Sequence, residues 1–174
     1  KVLAGYWCML VGSRARLMDL QRCRGEPSLD LDEDGAGYVE VGIGKTKTTH
    51  RPMTHSMPKV AVAHAKGVAG ARWAESWLEA RRQQGLSVRT DKCLMPAFDR
   101  DGKWLKRRLT SKEANEALPA LLAAAGAPPR KGQVIGTHSA KATLLSWAAK
   151  YGLDRGVRRI LGYHHPGKDR MVNV

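Results

Sequence analysis

The sequence predicts an α+β domain, mainly α-helical, with a small antiparallel β-sheet. Three observations lead there. Apolar residues recur at helical spacing in segments at both ends of the chain and in its middle. Two short stretches near residues 38–43 and 57–63 alternate apolar and polar residues, as half-buried strands do. With 174 residues, 43% of them hydrophobic, the chain is long enough for one respectable core and too short to expect two.

Residues 2–22 read as the first helix, with Leu3, Tyr6, Trp7, Leu10 and Val11 at helical intervals and an interruption expected at Gly12-Ser13. After it, Arg16 and Asp19 stand three apart, a spacing that pairs them on one helical face and points the guanidinium. Residues 25–37, rich in Gly, Asp, Glu and Pro, read as a loop. Its acids Asp30, Asp32, Glu33 and Asp34 lack the ligand order of a calcium loop and read as solvated. Tyr38 to Ile43 alternates as a strand, Gly44 to Thr49 is its end and turn, and Met57 to Ala63 is the returning strand. This antiparallel sheet would carry Lys45 or Lys47 at one lip.

Ala71 to Gln84 is the next helix, with Trp73, Ala74, Trp77 and Leu78 on a packed face and Gly85 as its stop. Residues 86–109 read as irregular. They carry Lys103, Lys106, Arg107 and Arg108, a solvated run that beside DNA becomes a phosphate grip. Thr110 with Glu113 is a capping box opening a helix to about Ala125. After a loop through Pro128-Pro129, Gly136-Thr137 opens a further helix with Thr137 as N-cap and a stripe of Leu144, Leu145, Ala148 and Ala149. His138 and Lys141 share a face of it near the positive helix N-terminus, a setting suited to a phosphate. Asp154 caps a short last helix through Val157, Ile160 and Leu161, closed by Gly162.

The charge decides the class of partner. Thirty Lys and Arg against sixteen Asp and Glu give +14 and a sequence pI of about 10.2. A domain this basic meets a polyanion, most often nucleic acid. No basic amphipathic helix or apolar run of membrane-spanning length stands out, so a membrane partner is not expected. Cys8, Cys23 and Cys93 are odd in number and far apart, which predicts free thiols in a reducing compartment, one that contains DNA if the basic charge serves it. Adjacent His164-His165 lacks a third ligand, so no metal site is expected. The chain opens at Lys1 inside a helical pattern, which suggests one domain, 1–174, truncated at both ends.

Four clusters stand in order: Arg16-Leu17-Met18-Asp19-Leu20, Thr46-Lys47-Thr48 in a hairpin, His138-Ser139-Ala140-Lys141, and Leu161-Gly162-Tyr163-His164. Together, over nearly the whole chain, they resemble the catalytic domain of the tyrosine recombinases, the phage-integrase type of DNA strand-exchange enzyme. Those proteins carry Arg with an acid three residues on, a Lys on a β-hairpin, His-x-x-Arg, and Leu-Gly-His. Two departures are plain. Lys141 stands where the second Arg is expected, as in retroelement-like members of mobile elements, and a point charge does not copy a bidentate fork. The nucleophilic Tyr, which follows the last block in that family, has no counterpart after Tyr163, so it is expected beyond Val174.

The resemblance implies DNA integration and recombination through a 3′-phosphotyrosine intermediate on double-stranded DNA, with self-association as a tetramer and no cofactor. It implies that Arg16 and Lys141 clamp the non-bridging oxygens, with Asp19 orienting Arg16. Lys47 would protonate the leaving 5′-oxygen, and His138 and His164 would serve the same phosphate. Phosphoryl transfer needs preorganised cations of this kind. Lys45, Lys103, Lys106, Arg107 and Arg108 are the candidate DNA-backbone contacts. A catalytically inactive DNA-binding relic and an unrelated basic RNA-binding domain are the competing readings.

Overall fold

In a computed structural model of the chain, residues 1–44 and 59–161 are described, without the side chains of 59, 159 and 160. Among them the architecture is mixed, with seven helices, a three-stranded antiparallel sheet and a two-stranded hairpin.

The first helix, α1 (Val2–Ser13), is apolar on most of its circumference and lies at the centre. The helix α3 (Trp73–Gln83), the strand β3 (Lys59–His64) and the helix α6 (Thr137–Lys150) all pack on it. Two glycines permit this. A Cβ on Gly5 would lie 2.2 Å from Trp77 Cγ, and one on Gly12 would lie 2.6 Å from Ala63 Cβ. Gly12, read from sequence as a breaker, is therefore a point of close helix–sheet approach inside α1. The chain breaks later, at Arg14, whose φ of 55° is left-handed. Arg16 follows in extended conformation as N-cap of the single turn α2 (Leu17–Leu20).

The sheet runs in the order β1 (Ser28–Leu31), β2 (Gly37–Ile43), β3, all antiparallel. The register pairs Val39 with Ala63 and Val41 with Ala61, and all four are buried against the helices. The β2–β3 pair is thus where the alternation placed it, and β1 lies within the stretch read as a loop. Only Leu29 and Leu31 face inward there, too short a pattern to stand out among acids and glycines. Lys45 and Lys47 lie outside the described residues, in the connection from β2 to β3.

Residues 86–109 are likewise more ordered than their composition suggests. They hold the one-turn helix α4 (Val88–Asp91) and a hairpin of β4 (Pro96–Phe98) and β5 (Trp104–Arg108). Buried Gln21 secures that hairpin: its Nε2 donates to the Met95 and Leu109 carbonyls at 2.8 and 3.1 Å, and its Oε1 accepts from Met95 N–H at 3.1 Å. Arg81, 3% exposed, donates to the Leu94 carbonyl and stacks 5.7 Å above the Trp77 ring centroid.

The helix α5 (Ser111–Ala124) begins with the capping box as read from sequence, Thr110 and Glu113 each bonding the other's backbone N–H. The N-cap of α6 is Gly136, in extended conformation, one residue before the expected Thr137, and the Thr137 N–H is met by Asn115 Oδ1 of α5 at 2.9 Å. Asp154 caps α7 (Arg155–Leu161), accepting from Gly156 and Val157 N–H.

A candidate phosphate-binding corner

The break between α1 and α2 positions the candidate site. Leaving α1 through a left-handed Arg14 turns the backbone so that Ala15 and Leu17 are buried while Arg16 between them is exposed. The Arg16 carbonyl accepts from Asp19 N–H at 2.9 Å and Leu20 N–H at 3.2 Å, which fixes the residue as the cap of α2. A capping residue is extended, so the helical three-residue spacing does not bring its side chain onto that of Asp19. Among the described residues no Arg16–Asp19 ion pair forms.

Asp19 instead acts across the fold. Lys141, on the second turn of α6, is half-buried. Burial makes its ammonium hold its proton less tightly than a free lysine. The charge of Arg16 lowers it further, and Asp19 opposes both. The first and third sequence clusters, from opposite ends of the chain, are therefore close enough to sense each other's charge. Neither Arg16 nor Lys141 forms an ion pair or side-chain hydrogen bond among the described residues.

The fourth cluster starts at the same corner. Arg14 Nε–H donates to the carbonyl of Leu161, the last residue of α7, at 2.7 Å, and its Nη1 donates to the Gly12 carbonyl at 3.2 Å. Leu161 is thus held two residues from Arg16. His164, three residues further, lies outside the described residues. His138 lies one turn before Lys141 on α6 and is exposed.

The second cluster lies outside the described residues, and only the strand before it is described. Ile43, the end of β2, bridges Cys23, and Gly44 N–H donates to the Arg22 carbonyl at 2.8 Å. The strand preceding Lys45 and Lys47 therefore ends beside the residues that follow α2.

The cations of residues 103–108 divide by what they touch. Lys103 sits in the β4–β5 turn and Lys106 on β5, both exposed. Arg107 forms a fork with Glu113, Nη1 to Oε2 at 2.9 Å, and this holds the Glu113 carboxyl down to about 2. Arg108 donates to the Lys92 carbonyl at 3.3 Å. Asn115 links the start of α5 to the start of α6 through its bond to the Thr137 N–H.

The expected apolar stripe of α6 is only partly packed. Ala140 is buried, Leu144, Leu145 and Ala148 are half-buried, Ala149 is exposed and Trp147 is 44% exposed. Ala140, Thr143, Leu144 and Trp147 line one wall of an open apolar groove of about 880 Å³, with Trp7 and Val11 of α1 and Leu118 and Leu121 of α5 opposite. Sequence periodicity marked the apolar face, and nothing in it tells how wide the gap to α1 and α5 is.

All three thiols are unpaired. Burial pushes Cys23 and Cys93 up to about 11, which removes them as ready nucleophiles. Among the described residues no three His, Cys, Asp or Glu side chains gather closely enough to hold a metal ion. Among the described residues no helix is long and apolar enough to cross a membrane. No protein-family model matches the chain, and no curated protein matches it.

Proposed function

We propose that this is a DNA strand-exchange domain of the tyrosine-recombinase type, and that the corner of Arg16, Lys141 and Asp19 binds the phosphodiester to be exchanged. One observation carries the reading. Two cations with no ion-pair partner among the described residues converge from opposite ends of a chain of charge +14. Bringing like charges together costs free energy in the folded protein, and an anion between them relieves it. The tie from Arg14 to Leu161 adds support, since it brings the start of the fourth cluster to the same place.

In this reading Arg16 and Lys141 meet the charge that grows on the non-bridging oxygens as the phosphorus becomes five-coordinate. Asp19 limits the repulsion between the two cations before substrate arrives. Lys47 donates the proton to the leaving 5′-oxygen, and His138 and His164 bond the same phosphate. The attacking hydroxyl is that of a tyrosine. It forms a 3′-phosphotyrosine ester as the 5′-hydroxyl departs, and attack by a second 5′-hydroxyl reverses the step.

Nicking of supercoiled plasmid tests the reading without knowledge of a target sequence, with hydrogen peroxide supplied as nucleophile in place of the tyrosine. The chain should bind duplex DNA and nick it. Arg16→Ala should abolish nicking while weakening binding by only about one phosphate contact, a loss of about 1 in the salt slope. Binding without nicking in the unsubstituted chain selects the non-catalytic DNA-binding reading. Preference for structured RNA over duplex DNA overturns both.

A further inference from the structure

The cationic corner leaves unexplained the apolar groove of about 880 Å³ between α1, α5 and α6. Its walls are helix faces. On α6 it is lined by Ala140, Thr143 and Trp147, and on α1 by Ala4, Cys8 and Val11. The wall on α5 runs in the same way from Leu118 through Leu121 to Ala125. Residues three and four apart lie on one side of a helix, so each wall extends for about two turns, or about 10 Å. These walls are wet. Trp147 is 44% exposed, Cys8 is exposed, and Val11, Leu121 and Leu144 are half-buried. A trough whose sides are helical ridges, with apolar side chains left facing water, has the shape that receives one more helix.

Charge decides what the polar side of that helix carries. Arg14 and Lys66 line the groove beside His64, and no Asp or Glu lines it. The chain around the walls continues the pattern. Neither Lys1 to Met18 nor Ala117 to Leu153 contains an acid, and the second stretch holds Arg130, Lys131, Lys141 and Lys150. The acids that adjoin the groove stand at its ends. Asp32, Glu33 and Asp34 are in the β1–β2 turn, where Lys66 donates to the Asp34 carbonyl at 2.9 Å. Glu113 and Glu116 are in the first turns of α5, the one paired with Arg107 and the other 3.9 Å from Lys112. Carboxylates on an incoming helix therefore meet cations along α1 and α6. A second copy of this chain, itself +14, is repelled. A nucleic acid matches the charge but has no apolar stripe for these walls.

We propose that the groove is the docking site for an amphipathic helix of a partner protein, one whose apolar stripe of two to three turns is bordered by Asp and Glu. The inference does not rest on the phosphodiester reading, because neither Arg16 nor Lys141 lines the groove. The stripe seats against Trp147, Leu144 and Val11, and the acids supply the charge that the walls lack.

The test uses the intact chain and a fluorescein-labelled peptide of about 14 residues, with Leu at i, i+3, i+4, i+7 and i+11 and Glu beside them. One control has the same composition in scrambled order, with the same charge and no stripe. A second keeps the stripe and carries Lys in place of Glu. By fluorescence anisotropy the acidic striped peptide should bind at least about tenfold more tightly than either control. It should also shield Cys8 from iodoacetamide, followed by mass spectrometry, without slowing alkylation of half-buried Cys23. Trp147→Ala should weaken binding about tenfold. Cys8→Glu places an acid at an exposed position of the α1 wall and should weaken it as well, so the test stands even if Trp147→Ala unfolds. Equal binding of the striped and scrambled acidic peptides, or binding that neither substitution changes, overturns the proposal. So does the absence of binding by the striped peptide. Shielding of Cys8 in the chain alone also overturns it, because the groove is then already filled by another part of the chain or, where sedimentation shows a dimer, by a second copy.

Discussion

Gly5→Ala sets two well-known effects against each other with opposite signs. Gly5 lies inside α1, where alanine is favoured over glycine by about 1 kcal/mol. It also lies where α1 crosses α3: an added Cβ would stand 2.2, 2.3 and 2.4 Å from Cγ, Cδ1 and Cβ of Trp77. Carbon atoms in good contact sit about 3.5–4.0 Å apart, so the helices must part by more than about 1 Å. Trp77 is 1% exposed, and its Cβ is fixed to the α3 backbone, so a rotamer change does not relieve the clash. Overpacking of this kind costs about 3 kcal/mol, the upper end of its usual range. Against the propensity gain the net loss is about 2 kcal/mol, and a domain of this size should melt about 4–8 °C lower. Urea unfolding monitored by tryptophan fluorescence measures the loss directly. Gly42→Ala is the control, because nothing lies within 4 Å of its added carbon. If Gly5→Ala proves more stable than the parent, propensity governs and the close α1–α3 crossing is refuted.

Further outcomes follow from other contacts. Gln21→Leu leaves the Met95 N–H and Leu109 carbonyl without their buried partner, and should cost about 1–3 kcal/mol in chemical unfolding. The Glu113 carboxyl, held down to about 2 chiefly by its bonds to Arg107, contributes stability that is present above its ordinary value of 4.5 and fades as pH falls from there toward 2. Glu113→Gln should remove that part of the acid dependence of the melting temperature. A DNA-bound chain should lose about 1 in its salt slope on Arg16→Ala, and Arg107→Ala should lower it less, because Arg107 is already paired with Glu113.

Local signals in the sequence were reliable where the cause is local. The Thr110–Glu113 box, the Asp154 cap, the stop at Gly85 and the alternation of β2 each depend on a few neighbouring residues, and each appears as read. Signals whose meaning depends on a distant partner were not. Gly12 resembles a breaker until Ala63 is placed against it. Pro96 and the run Lys106-Arg107-Arg108 disguise a hairpin that Gln21 holds from elsewhere in the chain. Thr137 resembles an N-cap, but the helix starts one residue earlier, from extended Gly136. For the candidate site, the residue types and their order were legible. The meeting of Lys141 with Arg16 was not, because it depends on how α6 packs on α1, and the expected Arg16–Asp19 pair failed because Arg16 caps α2 from an extended backbone.

The bond from Arg14 to the Leu161 carbonyl has a consequence for how the protein acquires its site. It joins residues 147 apart in sequence, and closing so long a loop carries an entropic cost that contacts between neighbours do not. Helices α1 and α5 and the two hairpins are each built from nearby residues, whereas the corner needs both ends of the chain at once. During synthesis, a chain that has not yet released residue 161 has Arg16 but neither α7 nor its tether. The cationic corner is therefore among the last features to assemble, so a nascent chain carries its positive charge before the proposed phosphate site exists.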